Sequence, residues 1–158
     1  MDTCLTRAFL DACQLAKRTL SCLPKLPDWM TPRQVHAIDA IYQLNLMQKS
    51  VHPSDVALFL DGTMPSITRM LSELEKHGAI EKRPDVTDKR SHVLVLTNYG
   101  QELYQTYVNE FHSYLATLFS ELDNYDLCVT ISTIEKAWEL LKNEDFSTKD
   151  LKEEHTKS

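Results

Sequence analysis

The stretch Gly62–Gly100, GTMPSITRMLSELEKHGAIEKRPDVTDKRSHVLVLTNYG, decides how the rest of this chain is read. Ile67, Met70, Leu71 and Leu74 recur at i, i+3, i+4 and i+7, the spacing that gathers apolar side chains on one face of a helix. Ser66, Thr68, Arg69 and Ser72 then fall on the outer faces. Thr63, or Gly62, is placed to cap the start, and Pro65 is tolerated in a first turn whose amides lack intrahelical partners. Gly78 stops the helix after Lys76 and His77, cations favoured at a helix C-terminus. Ala79–Arg83 and His92–Leu96 read as strands, the second strongly so through Val93 and Val95. Between them Pro84–Ser91 is a polar, charged hairpin tip. Helix, strand, basic hairpin, strand is the outline of a winged helix-turn-helix.

Upstream, Thr31-Pro32-Arg33-Gln34 is a helix start, with Thr at the cap, Pro at the first position and Gln placed to complete a capping box. Val35, Ile38, Ile41 and Tyr42 line its buried side. Pro53–Leu60 is a short helix with Val56, Phe59 and Leu60 inward, and Asp61-Gly62 turns it into the helix from Met64 to His77. His52, with no chelating neighbour in sequence, reads as solvent-facing. The first helix spans Thr3–Leu23, ended by Pro24 and Pro27, with Leu5, Phe9, Ala12, Ala16 and Leu20 on one face. Downstream, Thr97 caps a helix running to Leu122 through Leu103, Tyr107, Phe111, Tyr114, Leu115 and Leu118. Asn124–Lys142 forms another through Leu127, Ile131, Ile134, Trp138 and Leu141. These terminal helices carry more apolar surface than one small winged unit covers, so they are expected to pair with a second copy.

Four pieces in register, Pro65-Ser66-Ile67-Thr68-Arg69, Leu74-Glu75-Lys76-His77-Gly78-Ala79-Ile80, Asp88-Lys89-Arg90 and Leu96-Thr97-Asn98-Tyr99-Gly100, resemble the MarR family of bacterial transcriptional regulators. The resemblance extends more loosely over residues 5–142. Ala79 stands where the family usually has leucine, and Lys89 where arginine is common. The fold class this implies is mainly α with a small β-wing, a winged helix-turn-helix with N- and C-terminal dimerisation helices. The parts are residues 1–30 as a dimerisation helix, 31–97 as the DNA-binding domain, 98–142 as C-terminal dimerisation helices and 143–158 as a polar, disordered tail.

The expected partners are double-stranded DNA, read as a pseudo-palindromic operator, and a second copy of the chain in a homodimer. Thr63, Pro65, Ser66, Thr68, Arg69 and Ser72 meet base edges and phosphates, since arginine binds guanine bidentately and hydroxyls reach phosphate or base edges. The resemblance implies that Asp88 braces Arg90, which enters a minor groove, where negative potential favours a cation. Lys89, Lys82 and Arg83 are expected to neutralise phosphates. A small-molecule effector, or an oxidised cysteine, is expected to release the DNA. In this family the effector cavity lies between dimer base and reading head, which nominates Phe9, Cys13, His36, Tyr107 and Phe111 for its wall. The alternative is a winged-helix protein-interaction module that does not read DNA.

Composition bounds these readings. The chain has 158 residues and a net charge of −6. Residues 62–97 hold six Lys/Arg and five Asp/Glu, a local balance of +1 that leaves −7 elsewhere. Screening confines repulsion from distant charges to about 8–10 Å at physiological salt, so an acidic body is compatible with a basic reading edge. Cys4, Cys13, Cys22 and Cys128 form no CxxC pair. On a helix Cys4 and Cys22 sit roughly 27 Å apart, beyond disulfide reach. Reduced thiols and a redox-sensing Cys13 or Cys22 both remain open. Neither a secretory signal nor a membrane-spanning run is recognised, and a cytoplasmic location is expected. Glycine-rich phosphate loops, GxSxG and HExxH are absent from the sequence. Glu73 and Glu75 diverge on their helix. No catalytic residue, metal or cofactor is expected.

Overall fold

The computed structural model describes residues 2–19, 22–48, 50–85 and 91–144. The chain divides into two compact units, residues 1–115 and 116–158. In order it forms α1 (Thr3–Thr19), α2 (Pro32–Met47), α3 (Pro53–Phe59), α4 (Met64–Lys76), β1 (Ile80–Pro84) and β2 (His92–Leu96). There follow α5 (Asn98–Tyr104), a π-helical stretch (Gln105–Glu110), α6 (Phe111–Leu118), a 3-10 turn (Phe119–Glu121) and α7 (Asn124–Leu141). The architecture is mainly helical with a small antiparallel wing.

The first unit is built round the predicted apolar stripes. Ile38 and Ile41 of α2, Val56 of α3, Ile67, Leu71 and Leu74 of α4, Ile80 of β1 and Leu94 of β2 are fully buried in one cluster. Burial of each such side chain is worth about 1.5–3 kcal/mol, so this cluster dominates the stability of the unit. The start of α2 is as read: Thr31 N–H and hydroxyl both donate to the Gln34 side-chain oxygen, at 2.7 and 3.0 Å.

Two helix ends share one geometry. At the end of α4, Gly78 adopts φ +71, its N–H donates to Glu75 O and Ala79 N–H to Leu74 O, the paired bonds of a Schellman stop. Ala79 therefore closes the helix instead of opening the strand, and β1 begins at Ile80. At the end of α3, Asp61 takes the same left-handed place at φ +46, with Asp61 N–H to Leu58 O and Gly62 N–H to Ala57 O. This turn aims α4 away from α3.

Three sequence expectations are corrected. Phe59 is 48% exposed, and Val56 with Ala57 forms the inward side of α3. The helix after the wing is not uniform, because the π-helical stretch inserts one residue. Leu103 and Val108, five apart, both reach the core, whereas Tyr107 is only half-buried against it. His52 is not simply solvent-facing. Its Nε2 lies 3.0 Å from a carboxylate oxygen of buried Asp85.

The joint after the wing explains the Leu96–Gly100 motif. Thr97 Oγ1 donates to Gly78 O at 2.6 Å and accepts from Gly100 N–H at 3.0 Å, so one hydroxyl both caps α5 and ties it to the end of α4. A Cβ on Gly100 would stand 1.9 Å from Ala79 O, which leaves room for glycine only.

Of the terminal helices, α1 ends at Thr19 and buries no residue, nor does α7. Within α7, Ile131, Ile134, Trp138 and Leu141 are all exposed, as are Leu5, Leu10 and Leu15 on α1. Residues 145–158, which include most of the expected polar tail, lie outside the described residues.

Candidate nucleic-acid interface

The outer face of α4 carries the residues nominated for DNA contact. Ile67, Met70, Leu71 and Leu74 hold the helix by its inner face, which leaves Thr63, Pro65, Thr68, Arg69 and Ser72 exposed and Ser66 half-buried. Ser72 Oγ donates to Thr68 O at 2.9 Å. Thr63 is the cap residue in extended conformation, yet its side chain makes no bond to the helix amides. The first turn of α4 holds no acidic residue, so the partial positive charge of its N-terminus is not cancelled locally.

Beside α4 runs a shallow groove of about 320 Å³, walled by Trp29, Thr31, Arg33 and Gln34 on one side and Ser66, Arg69, Met70 and Glu73 on the other. Trp29 stacks on His77, ring centroids 4.3 Å apart, and so fixes the segment before α2 against the far end of α4. Among the described residues neither Arg33 nor Arg69 forms an ion pair. The Arg33 guanidinium lies 3.3 Å from the position a Cβ would take on Gly62, directly over the turn into α4. Sequence reasoning treated Arg33 only as part of a helix start. The signal that could have found it is electrostatic: a cation in a first turn opposes the helix dipole, so its presence there calls for another partner.

The wing pairs Ile80 with Leu96, Lys82 with Leu94 and Pro84 with His92. Lys82 reaches Glu75 Oε2 at 2.5 Å, and Arg83 pairs with Glu81. Of the three cations nominated as phosphate neutralisers, Lys82 and Arg83 are thus engaged within the protein. Surface pairs of this kind are worth about 0–1 kcal/mol, so they yield readily to a phosphate. Asp88, Lys89 and Arg90 lie outside the described residues. The base of the wing is fastened by Leu94 N–H to Val51 O at 2.7 Å.

The effector-wall candidates scatter. Phe9 and Cys13 are half-buried on α1, His36 is exposed on α2, and Tyr107 and Phe111 are half-buried around the π-helical stretch. None of the five lines the cavity of about 630 Å³ that opens between α2, the outer face of the wing and the start of α5. Its wall includes Tyr42, Asn45, Arg83, Thr97 and Gln101. Tyr42 stacks on Tyr104 at 3.6 Å, and burial, then the neighbouring Tyr42 and Asp39, raises the Tyr104 pKa above its ordinary value. Cys4, Cys22 and Cys128 are exposed free thiols. Among the described residues no cluster of His, Cys, Asp or Glu suited to a metal ion is found. No helix among them is long and apolar enough to cross a membrane.

Comparison with known proteins matches residues 30–92 to the MarR family. The transcriptional repressor MprA of Escherichia coli is 36% identical over 73 residues, 46% of this chain and 42% of MprA, so the match spans less than half of that relative. A solved MepR–DNA complex from S. aureus is similar in fold, with TM-score 0.61 and 23% identity over 87% of this chain and 94% of that one. A MarR-like regulator from Thermotoga maritima has TM-score 0.54 and 25% identity, covering 91% of this chain and 99% of its own. The matched segment holds α2 to the start of β2, the elements that set α4 beside the wing. Over residues 30–92 this winged helix-turn-helix matches the MarR family model, and its fold is similar to that of these regulators.

Proposed function

We propose that the protein is a transcriptional regulator that binds a pseudo-palindromic operator as a homodimer. The observation that carries this reading is the outer face of α4: small hydroxyls and an unpaired arginine, held rigidly by a buried inner face next to a wing. Thr63, Ser66, Thr68, Arg69 and Ser72 enter the major groove, and Arg90, with Asp88 and Lys89, serves the adjacent minor groove. Apolar residues exposed on α1 and, separately, on α7 support self-association, since large apolar side chains in such number are seldom left open to water. A dimer places two α4 helices about 34 Å apart, one turn of duplex. The MepR structure solved with DNA supports this mode of binding by analogy of fold. A small molecule or thiol oxidation that favours another spacing of the heads would release DNA, acting where the protein is expected to reside, in the cytoplasm.

Salt titration of binding to fragments of the source genome tests the reading. The logarithm of affinity is expected to fall linearly with the logarithm of salt. The acidic net charge and the engagement of Lys82 and Arg83 by Glu75 and Glu81 favour a second reading, a protein-interaction module. Absence of salt-dependent DNA binding would leave that reading standing.

A further inference from the structure

We propose that His52 is a wing-positioning residue: by holding Asp85 it fixes the outer end of the hairpin against the start of α3, and so sets the angle at which the wing meets DNA. The functional half of this inference rests on the DNA-binding reading above; the tether itself does not. His52 is the cap residue of α3, a place where Ser, Thr, Asp or Asn ordinarily stands. Its capping box with Asp55 accounts for the local part of this arrangement, and the imidazole reaches further than a cap requires. Nε2 lies 3.0 Å from Asp85 Oδ2, 33 residues along the chain. On the other side of the ring, Nδ1 is 3.5 Å from Asp55 Oδ2, which also accepts the His52 N–H at 2.7 Å and the Gln48 amide at 3.0 Å. The ring is thereby clamped between a carboxylate of α3 and one of the wing.

Asp85 is 4% exposed at the outer end of β1, and its N–H donates to Ser91 O at 3.1 Å across the neck of the hairpin. A carboxylate so buried is costly unless partnered, and His52 supplies a partner from another element. The lever arm makes this contact matter. The root of the wing is fixed by Leu94 N–H to Val51 O, opposite Lys82. Asp85 lies three residues beyond Lys82, about 10 Å along an extended strand. Contacts confined to the root leave the outer end of a two-stranded ribbon free to swing; an anchor about 10 Å further out removes that freedom. Val51 and His52 are adjacent, so the chain between α2 and α3 supplies both anchors.

The test is His52→Asn, which keeps a side chain well suited to a helix cap but too short to span to Asp85. Thermal melting should remain cooperative, at a somewhat lower temperature than wild type because Asp85 loses this partner. In the free protein the Asp85 amide is expected to exchange about tenfold faster while that of Leu94 is unchanged. Unaltered exchange at Asp85 would overturn the tether. Operator affinity is expected to fall about fivefold, as for loss of one charge-assisted contact that holds the wing. In an Arg90→Ala background the same substitution should change affinity less than about twofold, because the wing contact it serves is already gone. An equal loss in both backgrounds would show that His52 acts through the helices and would refute the proposal. If wild type binds no duplex, the DNA reading fails while amide exchange still decides the tether.

Discussion

Gly100→Ala sets helix propensity against steric fit, and the structure decides the sign. Propensity favours alanine inside a helix by about 0.5–1 kcal/mol. The added methyl, however, would lie 1.9 Å from Ala79 O, where ordinary contact begins at 3.4 Å. The two backbones must part by about 1.5 Å (3.4 less 1.9). Such a shift breaks Thr97 N–H to Ala79 O at 3.1 Å and Thr97 Oγ1 to Gly78 O at 2.6 Å. Each bond contributes about 1 kcal/mol and overpacking costs about 1–3 kcal/mol, so the net loss is about 2–4 kcal/mol. Urea denaturation at 25 °C, followed by circular dichroism, measures it. Gly78→Ala is the control: nothing lies within 4 Å of its Cβ, and only the left-handed φ of +71 is strained, costing about 1–2 kcal/mol. A Gly100→Ala protein as stable as wild type, or more so, would show that α5 does not dock on Ala79 as described.

Further outcomes concern the interface and the turns. Arg69→Ala and Arg33→Ala are each expected to lower operator affinity, and Arg33→Ala, acting on one phosphate in each of the two subunits, to reduce the salt slope by about 2 without changing sequence preference, measured by fluorescence anisotropy. An unchanged slope would remove Arg33 from the interface. Asp61→Val places a branched side chain at φ +46 and should cost about 1–2 kcal/mol in denaturant, whereas Asp61→Asn should be near neutral. The raised pKa of Tyr104 means that the folded state keeps its proton when the unfolded chain has lost it. Its stabilising contribution is therefore complete below about pH 10 and declines as pH rises through the folded value. Tyr104→Phe should flatten that alkaline decline in a pH series of thermal melts.

The legible parts of this protein are those whose causes are local. The Ile67–Leu74 stripe, the Thr31–Gln34 start and the glycine stop at Gly78 are each set by residues within one or two turns, and the structure has all three. Gly100 was legible as part of a motif, but its reason, the carbonyl of Ala79 at its back, is a tertiary contact. The His52–Asp85 contact spans 33 residues, and no periodicity announces it. The π-helical stretch escaped for a related reason: a 3.6-residue pattern assigns Tyr107 inward, whereas packing on α2 is met by Leu103 and Val108. Helical spacing from Val56 sets Phe59 and Leu60 inward, whereas small Ala57 suits the close approach of α3 to its neighbours. Arg33 was hidden because a helix start explained its neighbours fully. The effector wall rests on resemblance alone, and none of its five residues lines the open cavity beside Tyr42.

The most direct test of the central claim is sedimentation of the purified chain with and without its selected operator, across a salt series. Two chains per duplex are expected, with a dimer already present in the free protein at micromolar concentration and affinity falling steeply as salt rises. A single chain in solution, indifferent to duplex at every salt concentration, would contradict it.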